Sequence, residues 1–136
     1  MKHASYFEGT LQLRNCEKEV YKFVDEYFIE NNVGVARKIK QKKGFDFFVS
    51  SNKFLLRLKS VLLRHFSGRV LVSRKLFSRD RQTSKEIFRM TLLFEQLSFD
   101  VGDIIDDRGD QVRVLRIGER INVKNLKTGK SYFMRF

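Results

Sequence analysis

The sequence predicts an α+β fold. A split β-α-β-β-α-β-β sandwich, an antiparallel sheet with two helices on one face, is expected over residues 1–96, and a small SH3-like β-barrel over 97–136. Three observations predict it. Two amphipathic runs with apolar residues three and four apart lie among short segments that alternate apolar and polar. Their order is strand, helix, strand, strand, helix, strand, strand. After Gln96 helical periodicity ends, and short strands divided by turn residues remain. The boundary is expected near Leu97, without a flexible linker.

In "YFEGTLQLRN", Phe7, Leu11 and Leu13 alternate with Glu8, Thr10, Gln12 and Arg14, the pattern of a half-buried strand. Asn15 is positioned to cap a helix whose inner face is Cys16, Val20, Phe23, Val24, Tyr27 and Phe28, with Glu17 and Glu19 in a first turn that favours acids. "VARKIKQKKGFDFFVSS" reads as two strands joined by a basic turn around Gly44. Ser51 opens a second helix with Phe54, Leu55, Leu58, Val61, Leu62 and Phe66 inward, and Gly68 closes it as a C-cap. "RVLVSRKLF" and "EIFRMTLLF" are the next two strands, and "FDVGDIIDD", "QVRVLRI", "RINVKNL" and "SYFMRF" make up the barrel.

Charge is concentrated in the middle of the chain. Of a net +12, residues 35–91 supply +13, from 16 Lys or Arg against Asp46, Asp80 and Glu86, whereas residues 1–34 sum to −2. A single-sign field of that size favours polyanions, either nucleic acid or an anionic membrane surface. No run approaches the roughly 18 apolar residues of a transmembrane helix. One cysteine, Cys16, excludes an internal disulfide or a cysteine-rich zinc site within the chain and fits a reducing setting.

Catalytic and cofactor motifs are weak. Cys16 at a helix start could have a lowered pKa, but the two histidines, His3 and His65, stand in no partner motif. "KTGKS" lacks the first glycine of a phosphate loop, Lys124 standing in its place, and lies between strands, so it reads as a hairpin turn. Asp100, Asp103, Asp106, Asp107 and Asp110 do not follow calcium-loop spacing and read as solvated turns. No cofactor, metal or small-molecule substrate is expected, and no enzymatic activity.

The basic stretches carry the functional reading. Arg74, Lys75 and Arg89 fall within two strands whose connection holds Arg79, Arg81 and Lys85, with Gln82, Thr83 and Ser84 as neutral hydrogen-bonding groups. Such a hairpin presents cations at phosphate spacing. Arg37, Lys38, Lys40, Lys42 and Lys43 form a second basic segment, and the two would make a forked cationic surface if both loops left the sheet at one end. The structural alternative is a merely solubilising face, against which stands the scarcity of acids. Phe45, Phe47, Phe48, Phe77 and Phe88 could stack bases, but most read as core because the Gly-Phe-Gly-Phe signature of stacking sheets is missing.

The run "SRKLFSRDRQTSKEIFRMTLLF" closely resembles a segment of the Nmd-three family, adaptors of large-ribosomal-subunit export and their archaeal relatives. "YFEGTLQLR", "GFDFFVSSNKF" and "FDVGDII" fit in the same order, so the resemblance runs from about Tyr6 to the end. It implies a non-catalytic module acting in late subunit maturation or export, whose partner is the large ribosomal subunit, both rRNA and ribosomal proteins. It implies a cytoplasmic location, or nucleus and cytoplasm in a eukaryote. The family's zinc module of Cys-x-x-Cys pairs has no counterpart here, and the expected form is a fragment or a short, archaeal-type relative. Two alternatives remain at the level of sequence: a metal-dependent nuclease using Asp46, Asp80 or Glu86, and an interaction domain for an acidic protein.

Overall fold

The residue alternation of the first strand dictates the architecture around it. In β1 (Gly9–Arg14), Gly9, Leu11 and Leu13 are buried while Thr10, Gln12 and Arg14 are half-buried on the other side. The computed structural model describes residues 6–79 and 86–135 and continues with α1 (Lys18–Glu30), β2 (Val35–Gln41), β3 (Gly44–Val49), α2 (Asn52–His65), β4 (Gly68–Arg79) and β5 (Glu86–Gln96), the expected order. Both helices lie on one face of the sheet. Val20, Val24 and Phe28 of α1 and Leu55, Leu58 and Leu62 of α2 share one core with Leu11, Leu13, Phe47, Val49, Leu92 and Phe94. Removing each such side chain from water contributes roughly 1.5–3 kcal/mol.

The sheet is mixed where an antiparallel one was expected. Its strand order is β2-β3-β1-β5-β4, and β5 runs parallel to β1, from Gly9 opposite Met90 to Arg14 opposite Glu95. The crossover through α2 returns β4 parallel to β3 at the far edge, so the hairpin strand β5, turning back into the gap, takes the direction of β1.

Two glycines expected at a turn and a helix cap do other work. The β2–β3 turn is Lys42–Lys43, and Gly44 is already paired in β3 opposite Arg14. A Cβ at Gly44 would run into the Leu13 carbonyl oxygen. Gly68 begins β4 because a Cβ there would meet the Phe94 ring at 2.5 Å, and α2 ends instead at Phe66 in an extended conformation. Ser51 caps α2 as expected, its hydroxyl accepting from the Phe54 amide. Asn15 does not cap α1. It turns through a left-handed φ of 54°, and the cap is Glu17.

The second sheet is an antiparallel meander, β6 (Ile104–Asp107), β7 (Asp110–Ile117), β8 (Ile121–Asn125) and β9 (Ser131–Phe133), in that order. The expected SH3-like barrel is not closed, since β6 and β9 remain opposite edges. Strands of four and three residues offer few ladder bonds for closing a barrel, and between the two edges the Tyr132 hydroxyl donates to Asp107 Oδ2 at 2.5 Å. "KTGKS" is the β8–β9 turn, with Asn125 Oδ1 accepting from the amides of Lys127 and Thr128. The start of β4 ties the two sheets together. Ser67 Oγ donates to the Phe99 carbonyl at 2.7 Å, and Arg69 reaches both Glu95 Oε1 at 3.0 Å and the Glu119 carbonyl at 3.1 Å. No helix among the described residues is long and apolar enough to cross a membrane.

Candidate nucleic-acid interface

Strand register sorts the basic residues that the sequence gathers into one group. Helix-covered positions are those in line with Leu11, and the helix-free face carries those in line with Thr10 and Gln12. Arg37 lies opposite Phe48, and Lys75 opposite Arg89, all on the helix-free face toward the start of β1. Arg74 lies opposite Met90 on the helix side, beside Asn52, Leu56 and Phe88. Lys38 and Lys40 lie opposite Phe47 and Phe45, also on the helix side. The Lys38 ammonium sits 4.7 Å from the Phe45 ring centre and 3.9 Å from Asp25, so its stem covers the edge of the core. Arg79 ends β4. Arg81, Gln82, Thr83, Ser84 and Lys85 lie outside the described residues, as do Asp80 and His3.

The forked surface does not form. Lys42 and Lys43 turn the chain at the end of the sheet where β1 finishes, whereas β4 and β5 run on past the end where β1 begins. Gly44 and Glu95 are both opposite Arg14, and Glu86 lies nine residues before Glu95, so Gly44 and Glu86 are about 30 Å apart along the sheet at roughly 3.4 Å per residue. Beyond Gly9 the hairpin continues as a two-stranded ribbon, with a register shift between Leu76 and Ser78. Lys75 and Arg89 face each other directly across it.

Acids on the helix-free face are already engaged. Asp46, only 8% exposed, accepts from Arg14 at 2.6 Å through one oxygen and from Gln41 at 3.0 Å through the other. Glu95 holds Arg69 and accepts from Asn15. Asp46 and Leu93 are both level with Gln12, which sets Asp46 about 24 Å along the sheet from Glu86, too far to share one metal ion. Among the described residues no three His, Cys, Asp or Glu side chains are grouped to hold a metal. Cys16 precedes α1, and burial pushes its thiol up to about 11, which disfavours the thiolate.

The aromatic residues divide between the faces. Phe47 is core, and Phe45 packs on it against Tyr21. Phe48 stands on the helix-free face, its ring 5.0 Å from that of Phe7 at 72°, and the Arg89 guanidinium lies 4.1 Å from the Phe7 centre. Phe88 is 43% exposed on the ribbon, opposite Leu76 at 52%. Sequence reading missed Phe7 as a surface group, although the alternation of β1 and β3 contains the signal that separates Phe48 from Phe47.

The split βαβ sheet with one helix-free face, cationic and aromatic at one end, is an α+β architecture. The family model described as NMD3, second domain, matches residues 6–95. The chain belongs to the NMD3 family, which is associated with large-ribosomal-subunit biogenesis. No curated protein matches it.

Proposed function

We propose that the chain is a non-catalytic module that binds the large ribosomal subunit during late maturation or export, holding rRNA phosphates with the cations around the β4–β5 ribbon. Membership of the NMD3 family supports the ribosomal partner. The observation that carries the RNA contact is the placement of Arg74, Lys75 and Arg89 where the β4–β5 ribbon leaves the body of the sheet. Arg79, Arg81 and Lys85 continue the same basic run along the sequence.

Binding of the chain to purified large subunits across a salt series tests the reading. Replacing Arg74 and Lys75 by Ala is expected to weaken binding and to lower the log–log salt slope by up to about 1.4–1.8, at roughly 0.7–0.9 per lost phosphate contact. An unchanged slope would remove this end of the sheet from the interface. Association that survives nuclease treatment would point instead to an acidic protein partner.

A further inference from the structure

β2 is an edge of the five-stranded sheet, bonded to β3 on one side only. The Asn15 amide donates to the Lys43 carbonyl and the Ser50 amide to the Gly34 carbonyl. In an antiparallel ladder bonding alternates, so Phe45 and Phe47 turn their backbone groups toward β1, and Gly44, Asp46 and Phe48 turn theirs toward β2. Arg37, Ile39 and Gln41 answer these, which leaves the N–H and C=O groups of Lys38 and Lys40 directed outward, away from the sheet. From Arg37 to Gln41 the pairing is regular, because the register shift lies before it. Among the described residues no other backbone bonds to this outer edge.

A hollow of about 560 Å³ adjoins the start of the same edge, beside the end of α1. Phe28, Val33 and Phe47 form its floor, while Ile29, 78% exposed, and Val35 stand at its rim. The acid in its lining, Asp25, is held by Lys38 at 3.9 Å. Lys40, Lys42 and Lys43 follow at the far end of the edge, and no acid lies between Val35 and Phe45. None of these three lysines has an ion-pair partner among the described residues.

We propose that β2 takes up an extended protein segment as a sixth strand, with an apolar side chain of that segment in the hollow and acidic side chains at its other end on Lys40, Lys42 and Lys43. A peptide backbone supplies both the donors and the acceptors that Lys38 and Lys40 turn outward, and its alternate side chains reach the hollow. A ribose-phosphate backbone offers no regular series of N–H donors to those carbonyls. A second copy pairing through β2 would set lysine against lysine, and edge lysines act in general as a guard against such self-pairing. Opposite charge is what that guard admits. β2 and β4 are opposite edges of the sheet, so the site goes beyond the RNA reading and stands or falls separately from it.

The test uses the whole chain with a fluorescently labelled peptide, Val-Ile-Val-Thr-Glu-Asp-Glu, and the same peptide reversed, since the strand could enter in either direction. One of the two is expected to bind saturably and to slow hydrogen exchange at the Lys38 and Lys40 amides. Ile29→Ser, at an exposed position, should weaken binding roughly tenfold. Lys40→Pro, which removes an outward N–H, should abolish binding, whereas Lys40→Gln, which keeps it, should cost at most about fivefold. Thermal melting checks each variant, and if Lys40→Pro does not fold, Ile29→Ser and the exchange data decide. Binding of neither peptide, binding without amide protection, or parent-like affinity in Ile29→Ser overturns the proposal. Self-association of the chain that Lys40→Pro abolishes would give the edge to a second copy. Displacement of the bound peptide by a short single-stranded RNA, with Lys40→Gln as damaging as Lys40→Pro, would give it to nucleic acid. Either result likewise overturns the proposal, while the contribution of Arg74 and Lys75 to the salt slope is read independently.

Discussion

At Gly44 one hydrogen holds the place that any side chain would take from the Leu13 carbonyl. Gly44→Ala is expected to push β3 off β1 and to cost at least about 2 kcal/mol in chemical denaturation. A matching loss at Gly129 is not expected from crowding, because nothing approaches its Cβ direction within 4 Å. Cys16 gives a pH-dependent prediction. Its thiol is raised from 9.0 to about 11 chiefly by burial. The folded chain therefore holds the proton more tightly than the unfolded one, and the stability linked to Cys16 is lost as pH rises from about 9 through 11. Cys16→Ala should flatten that part of the stability profile, and alkylation of Cys16 at pH 8 should be much slower than that of a free thiol. The sequence could not supply either fact. A glycine in "KKGFDF" reads equally as a turn residue or a close approach, and only the Leu13 carbonyl decides between them.

Among the elements, β1 and β3 are held in register by a polar pair as well as by the core. Arg14 donates to Asp46 and to the carbonyls of Leu13 and Phe45. Arg14→Ala leaves a nearly buried carboxylate with Gln41 alone, and a loss of roughly 2–3 kcal/mol is expected by denaturant titration. Asp46→Asn in the same background should recover part of it by removing the uncompensated charge. The elements themselves were legible: both helices and every strand stand where periodicity put them, because a 3.6-residue or two-residue period is a local property. The direction of β5, the ends at which the two basic turns emerge and the face left without helices were not legible. Each depends on where a strand enters the sheet, and no local pattern encodes that. For the same reason Phe47 and Phe48, adjacent in "DFFV", could be assigned to opposite faces but not to core and surface.

Across the whole molecule, the separation of the two basic turns predicts independence. Lys42 and Lys43 lie well over 20 Å from Arg74 and Lys75, beyond the Debye length of about 8 Å at physiological salt. If both ends touch polyanion, the effects of Lys42→Ala/Lys43→Ala and Arg74→Ala/Lys75→Ala on subunit affinity should add, and the quadruple variant measures this directly. A deficit from additivity would mean that the two ends compete for one short segment. The second sheet is bound to this frame through Ser67 and Arg69, at the root of β4 and not at its cationic tip, so the ribbon projects from the opposite end of its own strand.

The insertion of β5 beside β1 also sets a timetable for folding. The strand pair at the centre of the sheet joins residues about eighty positions apart, from Gly9 with Met90 to Arg14 with Glu95. Long loops must close before that pairing gains anything, a topology associated with slow folding. During synthesis at roughly 5–20 residues per second, both helices and three strands emerge seconds before the strand that completes their sheet. Until Gln96 has left the exit tunnel, the β5 edge of β1 is open and the apolar faces of Leu11, Leu13 and α2 are incompletely covered. The nascent chain is thus most exposed to misassociation just before the core is closed, and a ribosome stalled short of Gln96 would hold it in that state.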